Sequence, residues 1–182
     1  MFSSITPVDF QILDWIQQNL RCPFMDFLMP KISMIGEFGI VWLVIGIIML
    51  CFRKTRRCAI LMLISTLAVY CFGELFLKNQ ICRVRPCNIR PYLDIPVERP
   101  SSYSFPSGHT SSAFSCAVMI LMNHRVGGVF ALMLAIVIAF SRLYNYVHFP
   151  SDVLAGALLG AVFAVITYFI ARLVVPPKRG RI

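Results

Sequence analysis

Three apolar runs, each long enough to cross a bilayer, constrain the fold more than any other feature of the chain. They are Ile32–Phe52, Cys58–Leu77 and Val153–Ala171, and a membrane-spanning helix requires about 20 mainly apolar residues. The chain is 58% hydrophobic and only 14% charged, whereas soluble domains carry about 25% charged residues. The sequence therefore predicts an integral membrane protein.

Two shorter apolar runs lie between these segments, at Gly108–Met122 and Val126–Phe140. Each reaches the length of a span only when the adjoining polar residues are counted as part of the helix. Polar helix ends are tolerated within the membrane where they line a water-filled cavity and do not face lipid. We therefore expect an all-α membrane bundle of about five transmembrane helices, formed by one domain over residues 32–182.

The segment before this domain, residues 1–31, contains a shorter helical pattern. Apolar residues recur on one face of Pro7–Asn19, but the other positions are too polar for a span; the apolar face contains Phe10, Leu13, Ile16 and Leu20. This pattern is typical of an amphipathic helix lying in the membrane interface. It also fits a helix packed on the flank of the bundle.

The formal net charge of +9 is concentrated at one end of the predicted bundle. Five spans place residues 53–57, residues 123–125 and the tail after Ala171 on the same side. That side carries cations and no acid; the cations are Arg53, Lys54, Arg56, Arg57, Arg125, Arg172, Lys178, Arg179 and Arg181. The positive-inside rule assigns it to the cytoplasm, so the C-terminus is predicted to be cytoplasmic. The charge then requires no nucleic acid partner.

Three polar islands interrupt the apolar sequence on the opposite, extracytoplasmic side. Lys78–Pro86 reads Lys-x6-Arg-Pro, Tyr103–Thr110 contains Pro-Ser-Gly-His, and Ser141–Asp152 reads Ser-Arg-x5-His-x3-Asp. Ionisable side chains at the ends of membrane segments are costly and generally functional. The islands therefore predict one functional site.

The cations of these islands indicate an anionic ligand. The guanidinium groups of Arg85 and Arg142 suit phosphate oxygens, and Lys78 adds a point charge. Ser107 can cap a helix that begins at Gly108, and free N–H groups at a helix N-terminus bind anions. Alone, Pro-Ser-Gly would also fit an ordinary turn into a helix.

The histidines of the islands indicate phosphoryl transfer. Asp152 follows His148 by four residues, and a carboxylate beside an imidazole fixes its tautomer, which leaves the other nitrogen free to attack phosphorus. His109 is placed to protonate the leaving group. The cysteines and histidines lack metal-ligand spacing and the acids are too few for a two-metal site. We therefore expect no metal and no cofactor, with cations stabilising the transferred group.

In their order and spacing the three motifs resemble those of the type 2 phosphatidic acid phosphatase superfamily. The membrane lipid phosphatases of this superfamily share a site with vanadium haloperoxidases. The resemblance covers a motif core of residues 78–152. It implies that His148 is the nucleophile that becomes phosphohistidine, that Asp152 orients it, and that His109 is the general acid. It further implies that the phosphate is held by Lys78, Arg85, Ser107, Gly108 and Arg142.

These expectations define a metal-independent phosphatase that acts on a lipid phosphate or diphosphate. Undecaprenyl diphosphate is favoured, because an outward-facing site suits a carrier lipid recycled there; phosphatidylglycerophosphate and phosphatidate are alternatives. A non-hydrolytic lipid-phosphate binder or transporter is a different class, but the presence of both His109 and His148 argues against it. A haloperoxidase is disfavoured because those relatives are generally soluble. The motifs leave the lipid tail and the oligomeric state open.

Two further patterns have structural interpretations. Cys82 and Cys87 bracket the Arg-Pro motif; a disulfide between them requires an oxidising compartment, and the sequence leaves it open. Gly156, Gly160 and Ala164 recur every four residues, which lets helices approach closely. This small-residue stripe predicts either packing within the bundle or dimerisation.

Overall fold

The computed structural model describes residues 4–36 and 39–174, and over these ranges its regular secondary structure is entirely helical. The helices are α1 (Thr6–Asn19), α2 (Pro23–Ile35), α3 (Ile40–Cys51), α4 (Arg56–Tyr70), α5 (Lys78–Ile81), α6 (Pro86–Ile89), α7 (Gly108–Asn123), α8 (Arg125–Tyr144) and α9 (Pro150–Val174). A π-helical segment, Cys71–Leu77, joins α4 to α5 without a break. The prediction of an all-α membrane bundle is confirmed.

The first predicted membrane span is not a single straight helix. Three helical runs are individually long and apolar enough to cross a membrane, namely Arg56–Ile89, α8 and α9. Helices α2 and α3 make a fourth span only as a pair, because they are bent by 52°. The span predicted at Ile32–Phe52 therefore corresponds to this bent pair, and its residues Glu37 and Phe38 lie outside the described ranges.

The remaining predicted span is α7, which has 16 residues and lies at the centre of the bundle. At 1.5 Å per residue it is about 24 Å long, shorter than the hydrocarbon core of about 30 Å. It packs against α4, α8 and α9, and Ala113, Ala117 and Met119 are completely buried. Because its neighbours shield α7 from lipid, its polar start at Gly108 does not face hydrocarbon.

Small residues allow α9 to lie directly against α7. A Cβ atom at Gly160 would overlap the carbonyl oxygen of Ser111, and one at Gly156 would lie 2.7 Å from that of Ser107. The backbone N–H of Ser107 donates to the carbonyl oxygen of Asp152 at 3.1 Å. The small-residue stripe thus serves packing within the chain, and it brings the N-terminal ends of α7 and α9 together.

Helix α1 packs on the bundle through one face and presents a second apolar face outward. Asp9, Leu13 and Ile16 are buried, and the nitrogen of the Gln17 side chain donates to the carbonyl oxygen of Tyr144 at 2.7 Å. The exposed face contains Ile5, Val8, Ile12 and Trp15. The apolar face that the sequence marks therefore packs on the flank of the bundle, and contact of the outer face with the membrane interface stays a prediction.

The disulfide between Cys82 and Cys87, which the sequence left open, is not formed. Both thiols are free; Cys82 is exposed and Cys87 is buried. Cys87 packs in a cluster with Leu13, Tyr146 and Phe149, so it contributes to the contact between α1 and the loop after α8.

Candidate active site

The three polar islands converge at one end of the bundle, where all eight predicted site residues lie. Lys78 begins α5 and Arg85 immediately precedes α6. Ser107, Gly108 and His109 form the start of α7; Arg142 lies near the end of α8, His148 in the following loop and Asp152 in the first turn of α9. The islands are in mutual contact: Arg85 Nη1 lies 3.0 Å from His148 Nε2, and the backbone N–H of Ser107 donates to the carbonyl oxygen of Asp152.

The hydrogen bond between Arg85 and His148 determines which nitrogen of the imidazole is free of a proton. Arg85 Nη1 lies 3.0 Å from His148 Nε2. A guanidinium only donates, so Nε2 accepts and carries a lone pair, and the proton of the neutral ring is on Nδ1. This is the tautomer in which Nε2 can act as a nucleophile.

The protonation state of His148 favours the same role. Burial lowers the pKa of His148 well below 6.5, and the positive charges of Arg85, Arg142 and Lys78 lower it further. The imidazole side chain is 1% exposed. The ring is therefore neutral at neutral pH and needs no deprotonation before attack.

Asp152 lies beside the other nitrogen of His148. Its Oδ2 is 3.7 Å from His148 Nδ1, beyond hydrogen-bond distance, and accepts instead from the backbone N–H of Phe149 at 2.9 Å. Its Oδ1 accepts from Arg83 at 2.5 Å. A shift of less than about 1 Å would bring Oδ2 within hydrogen-bond reach of Nδ1.

Lys78 is paired with a carboxylate that the motifs do not include. Its buried Nζ donates to both carboxylate oxygens of Glu74, at 2.8 and 2.7 Å. The Glu74 carboxylate also occupies the space where a Cβ of Gly108 would lie. Glu74 thus places a negative charge between Lys78 and the N-terminus of α7, where the sequence predicts a phosphate.

Arg85 and Arg142 are held by polar groups from other elements. Arg85 donates to the carbonyl oxygen of Val147 at 2.9 Å and, through Nε and Nη2, to the carbonyl and hydroxyl oxygens of Ser102 at 2.7 and 2.9 Å. Arg142 donates to the hydroxyl of Ser33 in α2. Both cations are more than 90% buried, so their positions are set by the fold.

The structure corrects the predicted role of Ser107 as a side-chain cap. Ser107 does occupy the position before α7, but its hydroxyl makes no capping hydrogen bond. Its oxygen accepts from the hydroxyl of Thr110 at 2.9 Å. Its own proton is therefore not committed to the helix and can be donated to a phosphate oxygen.

Sequence reasoning missed Glu74, Arg83 and Asp9. The spacing of Glu74 and Lys78, four residues apart on a helix, is a signal that could have revealed their pairing. Arg83 is one of the unspecified positions of Lys-x6-Arg-Pro, and its partner Asp9 is 74 residues away. No local pattern could have connected Arg83 to Asp9.

The described residues contain no cluster of three or more His, Cys, Asp or Glu side chains placed to hold a metal ion. What they do provide is a buried imidazole, a second histidine, and the three buried cations Lys78, Arg85 and Arg142 at the same end of the bundle. Phosphoryl transfer requires mainly positioning and electrostatic stabilisation, and this arrangement supplies both.

Comparisons with known proteins agree with this chemistry. The model of the PAP2 superfamily matches residues 58–174. An undecaprenyl-diphosphatase from Sulfolobus acidocaldarius is 35% identical over 124 residues, which cover 66% of this chain and 59% of the relative, so the match spans under two thirds of that protein. The bacitracin transport permease protein BcrC of Bacillus licheniformis is 29% identical over 78% of this chain and 71% of its own length.

A solved structure has the same fold. The transmembrane PAP2-type phosphatidylglycerolphosphate phosphatase of Bacillus subtilis superposes with a TM-score of 0.77 at 26% identity, covering 98% of this chain and 90% of the other. Because the family model matches more than half of the chain and includes all the predicted site residues, the chain belongs to the PAP2 superfamily and is a membrane lipid phosphatase.

Proposed function

We propose that this protein hydrolyses a lipid diphosphate at the extracytoplasmic face of the membrane, without a metal ion and through a phosphohistidine on His148. Undecaprenyl diphosphate is the favoured substrate. The observation that carries the proposal is the 3.0 Å contact between Arg85 Nη1 and His148 Nε2, which supports an unprotonated Nε2 beside the cation that we propose to bind the phosphate.

The reaction has two steps. Substrate phosphate displaces Glu74 from Lys78 and draws Arg85 and Arg142 onto its oxygens, which releases the lone pair of His148 Nε2. Nε2 attacks phosphorus, the bond from phosphorus to the leaving oxygen breaks, and His109 gives that oxygen a proton. In the second step His109 takes a proton from water, the water oxygen attacks the phosphohistidine, and inorganic phosphate leaves.

The choice of a carrier-lipid diphosphate has two supports. The Sulfolobus acidocaldarius relative is named an undecaprenyl-diphosphatase, and a diphosphate offers a phosphate leaving group that is easier to expel than an alkoxide. The Bacillus subtilis structure, however, is of a phosphatidylglycerolphosphate phosphatase. Phosphatidylglycerophosphate and phosphatidate are therefore the alternative substrates.

The first experiment is phosphate release by the purified protein in detergent with EDTA present. Undecaprenyl diphosphate, undecaprenyl phosphate, phosphatidylglycerophosphate and phosphatidate are compared by kcat/KM. We expect activity to survive the chelator, to be inhibited by vanadate, and to be highest on undecaprenyl diphosphate. Arg85 and its two partner cations, which neutralise the phosphate, replace the metal in this mechanism.

The outcomes of that assay distinguish the proposed function from its alternatives. Activity that disappears with EDTA and returns with magnesium would contradict the metal-independent mechanism. A higher kcat/KM on phosphatidylglycerophosphate or phosphatidate would assign the protein to phospholipid metabolism instead. Binding of the lipids with no phosphate release would favour the non-hydrolytic binder or transporter.

The orientation is supported by the positions of the basic residues. Arg53, Arg56 and Arg57 line one cavity together with Ala171 of α9, and Arg57 donates to the carbonyl oxygen of Ala171 at 3.1 Å. These cations therefore share one end of the bundle with the end of α9, away from the site. Lys178, Arg179 and Arg181 lie outside the described residues.

Single cysteines at the two ends test the orientation. Tyr92→Cys lies in the loop at the active-site end, where Tyr92 is 78% exposed, and Arg125→Cys lies at the exposed start of α8. Both are made after the exposed Cys22, Cys51, Cys71 and Cys82 are changed to serine. We expect an impermeant maleimide to label Tyr92→Cys on intact cells and Arg125→Cys only after lysis. The reverse pattern would place the site in the cytoplasm.

A further inference from the structure

A buried chain of charges links helix α1 to the carboxylate beside His148. Arg83 Nη2 donates to Asp9 Oδ2 at 2.7 Å, and Nη1 donates to Asp152 Oδ1 at 2.5 Å. All three side chains are at most 6% exposed. One guanidinium therefore joins a carboxylate of α1 to the carboxylate of the predicted catalytic pair.

Asp9 also holds the start of α9 directly. Its Oδ1 accepts from the backbone N–H of Ser151 at 3.0 Å, and its Oδ2 accepts from the Ser151 hydroxyl at 2.6 Å. The guanidinium of Arg83 lies over the ring of Phe149, 3.9 Å from its centroid. Asp9 and Arg83 thus contact the residues on both sides of Pro150, between His148 and Asp152.

This network constrains the direction of the Asp152 carboxylate. Arg83 holds Oδ1, and the Phe149 N–H holds Oδ2 at 2.9 Å, so Oδ2 is the oxygen that faces His148 Nδ1. Buried ion pairs are often no more stabilising than apolar residues of similar volume. A buried triad of this kind is therefore better explained by the geometry it imposes than by stability.

We propose that Asp9 and Arg83 are positioning residues for phosphoryl transfer, which makes α1 a part of the active site. The inference rests on the proposed role of His148 as the nucleophile. When Nε2 bonds to phosphorus the imidazole becomes positive, and its Nδ1–H is stabilised by Oδ2 of Asp152. Arg83, shared with Asp9, keeps that oxygen facing the ring.

The matched pair of variants is Asp9→Asn and Asp14→Asn. Both remove one carboxylate from α1, but the partners of Asp14 are Arg90 at 2.6 Å and the hydroxyl of Tyr146 at 2.7 Å. We expect Asp9→Asn to lower kcat about 10- to 100-fold, since small displacements of a catalytic group have effects of this size, with KM unchanged. Asp14→Asn should leave both constants near those of the wild type.

A double-mutant cycle separates positioning from general loss of structure. If Asp9 acts through Asp152, then Asp9→Asn should cause no further loss of kcat in an Asp152→Asn background, measured with p-nitrophenyl phosphate. An equal loss in both backgrounds, an unchanged kcat in Asp9→Asn, or equal losses in Asp9→Asn and Asp14→Asn would each overturn the proposal.

A second variant tests the positioning role of Arg83 and Asp9 if Asp9→Asn fails to fold. Arg83→Lys keeps the positive charge but lacks the fork that joins two carboxylates, so we expect a folded protein with lowered kcat and unchanged KM. Wild-type kcat in Arg83→Lys would contradict the proposal. Failure of the underlying function would be recognised separately, because full activity in His148→Ala would refute the nucleophile irrespective of Asp9.

Discussion

Replacement of His148 with alanine is expected to abolish phosphate release from every substrate. The substitution removes Nε2, the atom that bonds to phosphorus, so no leaving group can compensate for its loss. The expected decrease in kcat is on the order of 10⁶-fold, as for removal of the nucleophile from a serine hydrolase. It is measured on both undecaprenyl diphosphate and p-nitrophenyl phosphate.

Replacement of His109 with alanine should instead have an effect that depends on the leaving group. General acid catalysis is worth typically about 10²–10⁴-fold when the leaving group is poor, so hydrolysis of a phosphate monoester such as phosphatidate should fall by that factor. p-Nitrophenolate is stable without a proton. The His109→Ala variant should therefore lose much less activity on p-nitrophenyl phosphate.

The third histidine of the chain provides the matched control for both substitutions. His124 lies at the junction of α7 and α8, and its neighbours in a groove include Thr55 and Phe130, at the end of the bundle opposite the site. His124→Ala should leave both activities unchanged. If His148→Ala and His109→Ala lose equal activity on both substrates, the proposed division into nucleophile and acid is wrong.

A methyl group added at Gly160 is expected to destabilise the bundle and reduce activity together. The new Cβ of Gly160→Ala would overlap the backbone of Ser111 in α7, and overpacking of this kind typically costs about 1–3 kcal/mol. The backbone cannot rotate away as a side chain could. The displaced α9 also carries Asp152 in its first turn, so kcat should fall with the unfolding temperature.

Gly127→Ala is the control for that substitution. Gly127 is also helical, but its Cβ would meet only the Ile120 side chain at 3.8 Å, an ordinary contact. Alanine is favoured over glycine in helices by up to about 1 kcal/mol, so this variant should be as stable as the wild type or more stable. Thermal unfolding in detergent measures both variants; equal unfolding temperatures would show that α9 does not depend on a close approach at Gly160.

The sequence by itself determined the class of protein and the set of candidate site residues. Apolar runs of about 20 residues predict membrane helices because the bilayer requires that length, whatever the packing of the helices. The motif residues Lys78, Arg85, His109, Arg142 and His148 could be selected because their spacing is local and their charges are anomalous beside apolar sequence. Their catalytic roles remain predictions, to be tested by the variants described above.

Only the tertiary structure decided how these groups are oriented and which other residues reach them. It showed that the span expected at Ile32–Phe52 is built from two helices bent by 52°, that Glu74 pairs with Lys78, and that Arg85 contacts His148 Nε2. It also connected Arg83 to Asp9. Hydrophobic periodicity reports on residues within a few turns of each other. The Glu74–Lys78 pair lies within that range, whereas the contact between Arg83 and Asp9 depends on how α1 packs on the bundle, which no local pattern encodes.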